Sequence, residues 1–168
     1  MSRLRARTEG RLRARTEGRL RARTEGRLYV VITGGGTGGH VFPALALADE
    51  LVARGHPRTA IHFVGATRGL EATAVPNAGF TIDLLPGRGF ERRINPRSVV
   101  RNFRTGWDTA VALARANAVV RRTRPAVVVG VGGYASLPTL VAARAHRIPS
   151  IVHEADAHPG LANRIAVV

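Results

Sequence analysis

Cysteine and lysine are both absent from the 168 residues. Without cysteine there is no disulfide and no thiolate metal site. Without lysine there is no Walker-type loop, which needs one behind its glycines. Aromatic residues make up only 5% of the chain, too few to alternate regularly with the arginines. That argues against a stacking platform for single-stranded nucleic acid, and no nucleic-acid partner is expected. No apolar run is long enough to span a bilayer, so the chain can at most lie on a membrane surface. No apolar stretch follows the first charges, which excludes a secretory signal of the usual form. There is no G-x-S-x-G nucleophile elbow.

What is present is charge of one sign. The formal net charge is +15, and all 26 basic residues are arginine. A balance this positive favours anionic partners: phosphate esters, acidic lipid headgroups or nucleic acid, the last disfavoured by the scarce aromatics. Part of it sits in a perfect tandem repeat, Arg-Leu-Arg-Ala-Arg-Thr-Glu-Gly, over residues 3–10, 11–18 and 19–26. Three arginines and one glutamate in each copy give +6, leaving +9 for the rest. An eight-residue period with one glycine fits no heptad and no solenoid unit. Identical copies fit a recent duplication, a misassigned start or an added segment. Residues 1–27 are therefore expected to be a disordered basic leader, with an electrostatic arm on anionic lipid as the sharper alternative.

The centre of the sequence is Thr33-Gly34-Gly35-Gly36-Thr37-Gly38-Gly39-His40. It follows the apolar run Leu28–Ile32, which reads as a buried parallel strand. It precedes Val41–Gly55, which reads as a helix with Pro43 in its first turn and Gly55 at its stop. One face of that helix would carry Val41, Ala44, Leu45, Ala48, Leu51 and Val52. Strand, glycine turn and helix together aim backbone N–H groups and the positive helix end at whatever sits above the turn. An anion, a phosphate or diphosphate, is the expected occupant. Five glycines in six positions exceed what a tight turn requires. The stretch also spells G-x-G-x-x-G at Gly34, Gly36 and Gly39. A nicotinamide site would want an acid at the end of the second strand, and Gly65-Ala66-Thr67-Arg68 has none. Arg68 could meet a 2′-phosphate, which keeps an NADP-binding domain as a weaker reading.

Downstream, strands and helices alternate. Strands are predicted at 60–64, 80–85, 126–131 and 148–152. A short helix over 70–75 is expected to stop at Pro76. Residues 98–123 read as one long helix, or two with a break at Gly106-Trp107, and with Val111, Ala114, Ala118 and Arg121 on one face. A helix is expected from about Leu137 to His146, and another from Leu161. Between the strand at 80–85 and the helix at 98–123 lies Pro86–Arg97, a loop with Phe90 and Ile94 among four arginines: a solvated loop, or a lid or membrane-facing patch. The alternation defines an α/β domain with a mainly parallel sheet. Such folds bind ligands at the carboxyl ends of the strands. That edge gathers the first glycine loop with His40, a second loop with Gly132, Gly133, Tyr134 and Ser136, and His153-Glu154-Ala155-Asp156. His40 opens a helix, a setting that favours a neutral imidazole able to take a proton; alone it could equally be a local hydrogen-bonding residue. His153-Glu154 reads as a base with its orienter or as a structural strand end. No His, Asp or Glu spacing resembles a metal site.

These residues resemble the MurG family of bacterial glycosyltransferases. Thr33–Ala44 is similar to the family's first glycine loop and Gly130–Pro138 to its second. Ile148–Glu154 with Pro159–Arg164 is similar to the segment after its fifth strand. The resemblance runs from Leu28 to the end of the sequence. It implies a Rossmann-like domain, the N-terminal half of a GT-B glycosyltransferase, with residues 28–168 as the acceptor-binding domain and the C-terminal donor domain absent. It implies inverting transfer of N-acetylglucosamine from UDP-N-acetylglucosamine to undecaprenyl-diphosphate-linked muramoyl-pentapeptide, in peptidoglycan biosynthesis. No metal and no cofactor is implied. His40 would be the general base. Thr37, Gly38 and Gly39 would touch phosphates and sugar; Gly132, Gly133 and Tyr134 would line the acceptor cleft. Glu154 and Asp156 fall in the donor-side motif, and the Phe90 loop would seat the domain on the anionic cytoplasmic face of the plasma membrane as a peripheral protein. The family usually reads His-Glu-Gln-Asn where this chain has His153-Glu154-Ala155-Asp156. A carboxylate at Asp156 would sit beside a nucleotide diphosphate and weaken its binding. A half of this kind would not turn over alone: it would be a fragment or a truncated product, or its other half would come from a second chain, as in the split eukaryotic enzyme of dolichol-linked glycan synthesis. The alternative function is a non-catalytic domain binding a polyprenyl diphosphate or another anionic ligand.

Overall fold

The computed structural model describes residues 28–86 and 96–153, with 96–107 as backbone alone. The basic repeats, the Phe90 loop and everything after His153 lie outside the described residues.

Five strands form one parallel sheet: β1 (Val30–Thr33), β2 (Ile61–Ala66), β3 (Thr81–Leu85), β4 (Val127–Gly130) and β5 (Ser150–Val152). The order across the sheet is β3-β2-β1-β4-β5. The helices are α1 (Gly38–Ala53), α2 (Glu71–Asn77), α3 (Pro96–Thr123) and α4 (Ser136–Ala145). β1 is central and fully buried, with Val30 opposite Ile61 on one side and Val127 on the other. Its side chains alternate between two cores, as a period of two demands. Val31, Val128 and Leu85 pack with Ala112, Ala116, Val119 and Val120 of α3 and Leu140, Ala142 and Ala143 of α4. Val30, Ile32, Phe63 and Val129 pack with Ala44 and Ala48 of α1 and Val75 of α2. The sheet is thus a layer between two helical layers, which is why its strands read as continuous apolar runs.

Several boundaries differ from the sequence reading, for identifiable reasons. α1 begins at Gly38, so Pro43 is its sixth residue and not a first-turn residue. The proline removes only the donor that would have reached the carbonyl of Gly39. Of the expected α1 face, Val41, Ala44 and Ala48 are buried, while Leu45, Leu51 and Val52 are half-buried at its margin. α2 runs one residue past Pro76; Gly79, at φ +78°, and the Phe80 amide bonding to Val75 then end it. α3 is one unbroken helix through Gly106-Trp107. Its buried stripe is Ala112, Ala116, Val119 and Val120; the face shared by Val111, Ala114, Ala118 and Arg121 is half-buried to exposed. Both stripes have helical spacing, and an alanine-rich helix offers too little contrast between faces to choose. The side actually used places two alanines where close approach to α4 and the sheet needs small side chains. Arg122 reaches from α3 to Asp83 of β3 (2.8 Å), and Asp83 also meets His62 Nε2 (2.9 Å).

Candidate functional site

The strand order reverses at β1 and β4, which leave in opposite directions across the sheet. A crevice at the carboxyl end of such a switch point is where open α/β sheets bind ligands. Both glycine loops start there. The first follows Thr33 and the second follows Gly130, and these two residues are register partners.

The loops are bonded to each other. The Gly35 amide donates to the Gly132 carbonyl (3.1 Å). Ser136 Oγ donates to the carbonyls of Gly132 (2.8 Å) and Thr33 (3.0 Å). Thr33 Oγ1 donates to the Ala135 carbonyl (2.9 Å) and lies 3.0 Å from Thr139 Oγ1. Thr33, Ser136 and Thr139 are all fully buried, so this hydroxyl network satisfies polar groups that water cannot reach. Contact this close explains the glycines. A Cβ on Gly34 would lie 2.3 Å from the Gly132 carbonyl oxygen, and one on Gly133 would lie 2.2 Å from that of Gly35.

The triple glycine is therefore not an open cradle. The Gly34 amide bonds to the Val64 carbonyl (3.1 Å), the Gly35 amide to Gly132, and the Gly36 amide to Glu71 Oε2 (2.7 Å). Each of the three donors faces the protein. This corrects the expectation that the glycine turn itself offers its amides to an anion. At Gly34 and Gly35 the missing Cβ serves packing, whereas Gly36 has open space around it and is required only by its φ of +96°.

Thr37 is the residue before α1, extended at φ −124° and ψ 162°. Its hydroxyl does not cap the helix but lies 3.2 Å from His40 Nδ1. No acidic residue occupies the first turn of α1, so the positive helix end is left uncompensated there. Thr37 and Gly39 are exposed and Gly38 half-buried. Phe42, 63% exposed, covers Gly38, where a Cβ would come within 3.0 Å of the ring.

His40 is half-buried and leans across to the second loop. A Cβ on Gly132 would lie 2.7 Å from His40 Cδ2 and 2.8 Å from Nε2. Gly132, at φ +93°, is the residue that makes room for the imidazole. Thr37, Gly38, Gly39, His40, Gly132 and Gly133 are thus brought together. Tyr134 points elsewhere: its ring packs against the core under α3 and its hydroxyl lies 3.3 Å from Thr109 Oγ1. His153 follows β5, exposed, with its amide on the Gly130 carbonyl (2.8 Å). Glu154 and Asp156 lie outside the described residues. Among the described residues no three His, Asp or Glu side chains gather as a metal site.

One residue escaped the sequence reading. Glu71, the first residue of α2, is 2% exposed. Its Oε1 accepts from the Ala66 amide (2.8 Å) and its Oε2 from the Gly36 amide. A Cβ on Gly35, Gly65 or Gly69 would fall within 2.4 Å of its side chain. An acid at a helix start is unremarkable in a sequence; the three glycines around it were the available signal.

A parallel α/β domain with two interlocked glycine loops at its switch point defines the N-terminal, Rossmann-like half of a GT-B glycosyltransferase. The chain belongs to the family of the glycosyltransferase family 28 N-terminal domain, whose model matches residues 30–168. It is 46% identical over 142 residues to "UDP-N-acetylglucosamine--N-acetylmuramyl-(pentapeptide) pyrophosphoryl-undecaprenol N-acetylglucosamine transferase" of Anaeromyxobacter dehalogenans strain 2CP-1, covering 81% of this chain and 34% of that protein. The enzyme of the same name from Carboxydothermus hydrogenoformans is 42% identical over 136 residues, covering 81% and 35%. The crystal structure of MurG from Acinetobacter baumannii superimposes with a TM-score of 0.67 at 27% identity, over 83% of this chain and 39% of that one. The chain spans about a third of the length of these curated relatives.

Proposed function

We propose that this chain is the acceptor-binding half of an inverting N-acetylglucosaminyltransferase. It would act with a donor domain to move N-acetylglucosamine from UDP-N-acetylglucosamine to the 4-hydroxyl of lipid-linked muramoyl-pentapeptide. The observation that carries the reading is His40, held by Thr37 at the start of α1 and lodged against Gly132 of the second loop. Family membership and the names of the relatives supply the substrate class.

The chemistry follows from that placement. When the Nδ1 proton is donated to Thr37 Oγ1, Nε2 keeps its lone pair and faces the space the two loops share. The acceptor hydroxyl gives its proton to Nε2 as its oxygen attacks the anomeric carbon. The bond from that carbon to the diphosphate breaks, and its electron pair leaves with UDP. One bond forms on the face opposite the one that breaks, so the configuration inverts. Thr37, Gly38 and Gly39 would hold a phosphate at the uncompensated end of α1. Gly132 and Gly133 would form the far wall of the acceptor cleft. Tyr134 would support that wall from beneath by its contact with α3, and Glu154 and Asp156 would face the donor.

No helix among the described residues is long and apolar enough to cross a membrane. A lipid-linked acceptor would bring the domain to the cytoplasmic face of the plasma membrane as a peripheral protein, and the +15 charge suits an anionic surface there. The test is sugar transfer from UDP-N-acetylglucosamine to a short-chain lipid-linked acceptor, with this chain alone and with a C-terminal half from a relative. Transfer in the mixture is expected. Acceptor binding without transfer in any mixture would leave a non-catalytic binding domain. Saturation by NADPH in place of the acceptor would return the reading to Arg68 and a dinucleotide.

A further inference from the structure

We propose that Glu71 is a positioning residue, whose buried carboxylate fixes the first glycine loop so that Thr37, Gly38 and Gly39, rather than Gly34–Gly36, meet the anion. The inference rests on the site reading above and deepens it.

A helix-starting glutamate ordinarily faces solvent and favours its own helix by charge alone. Glu71 does neither of these things. It is buried, and its two oxygens accept from amides outside α2: Ala66 at the end of β2 and Gly36 in the loop. Charge-assisted bonds of this kind are the strong ones, and both terminate on one rigid side chain. The surroundings are shaped for it. Gly35, Gly65 and Gly69 come from three different segments, and a Cβ on any of them would collide with the Glu71 side chain. Three glycines cleared for one carboxylate make the strut specific to glutamate.

Two consequences bear on the ligand. The Gly36 amide is occupied, so it cannot also hold a phosphate. A negative group beneath the triple glycine also repels a second negative group above it. Both effects push the anion toward the start of α1. Glutamine cannot replace the strut, because it offers one oxygen where two amides must be met. One of the two N–H groups would then face an NH₂.

The test uses the ¹⁵N-labelled chain, with inorganic pyrophosphate as the probe. In the unaltered chain, pyrophosphate should shift the resonances of Gly38 and Gly39 while Gly36 stays protected from hydrogen exchange. In Glu71→Gln, exchange should rise about tenfold or more at whichever of the Gly36 and Ala66 amides faces the NH₂, the loss of one hydrogen bond to a charged group, and the preference of pyrophosphate for Gly38 and Gly39 over Gly36 should weaken. Protection of Val31 and Val128 in the central strands should not change. Gly69→Ala, which puts a methyl where the carboxylate sits, should give the same local signature and carries the test if Glu71→Gln does not fold. The proposal is overturned if Gly36 and Ala66 both stay protected in these variants, or if Val31 and Val128 lose protection equally. It is also overturned if pyrophosphate shifts Gly36, or shifts neither Gly38 nor Gly39, in the unaltered chain. Failure of sugar transfer in the reconstituted enzyme, with the exchange signature present, would remove the proposed function and leave the strut standing.

Discussion

The two glycine loops occupy equivalent places, each at the end of a central strand and the start of a helix, yet they are braced by different chemistry. The second loop is held by neutral hydroxyls of Ser136, Thr33 and Thr139, all buried within the β1–β4–α4 unit. The first is held by a carboxylate that arrives from α2. A hydroxyl network tolerates a neutral environment and no ligand charge. A carboxylate steers charge, and on the proposed reading it leaves the Thr37 end of the loop to the ligand. Similar composition would thus give one wall and one reader, with His40 belonging to the first loop and resting on the second.

The largest effect that would break this division falls on His40. In the reconstituted two-half enzyme, His40→Ala should lower turnover by ~10²–10⁴, the usual contribution of general acid–base catalysis, with acceptor binding kept. Steady-state kinetics beside equilibrium binding checks it, and unchanged turnover would remove the imidazole from the mechanism. Next comes the contact between the loops. Gly133→Ala sets a methyl against the Gly35 backbone at φ +85°, and overpacking plus strain should cost about 3 kcal/mol or more in a urea melt. A stable Gly133→Ala protein would mean the loops can separate. The hydroxyl network is worth less: Thr33→Val should destabilise by about 1–3 kcal/mol, from a buried threonine bond lost and the Ala135 carbonyl left with fewer donors. The smallest effect sharpens the contrast. Gly36→Ala meets no atom within 4 Å and pays only for its φ of +96°, so about 1–2 kcal/mol is expected. If Gly36→Ala proved as costly as Gly133→Ala, packing would not be the reason for the glycines.

The sheet was legible because buried parallel strands announce themselves: Val30–Ile32 and Val127–Val129 are unbroken apolar runs between turn signals. The geometry of the candidate site was legible in part, since the glycine loops and His40 meet at the strand ends, the edge at which such folds bind ligands. Three things were not legible. The buried stripe of α3 was ambiguous, because alanines occupy both candidate faces. The triple glycine looked like an anion cradle, because sequence cannot distinguish a glycine that exposes its amide from one that makes room for a neighbour. Glu71 passed as an ordinary helix-start acid, since its burial depends on Gly35, which is 36 positions away as counted from 35 to 71.

The separations within the site also set an order of assembly. Glu71 meets Gly36 across 35 residues, whereas Thr33 meets Ala135 across 102. Closing the longer loop costs more entropy and comes later on average. During synthesis the strut can lock the first loop as soon as α2 has left the ribosome, long before β4 exists to receive His40. On the proposed reading, the half of the crevice that handles charge is then shaped first, and the wall is delivered to it once β4 and the second loop have followed.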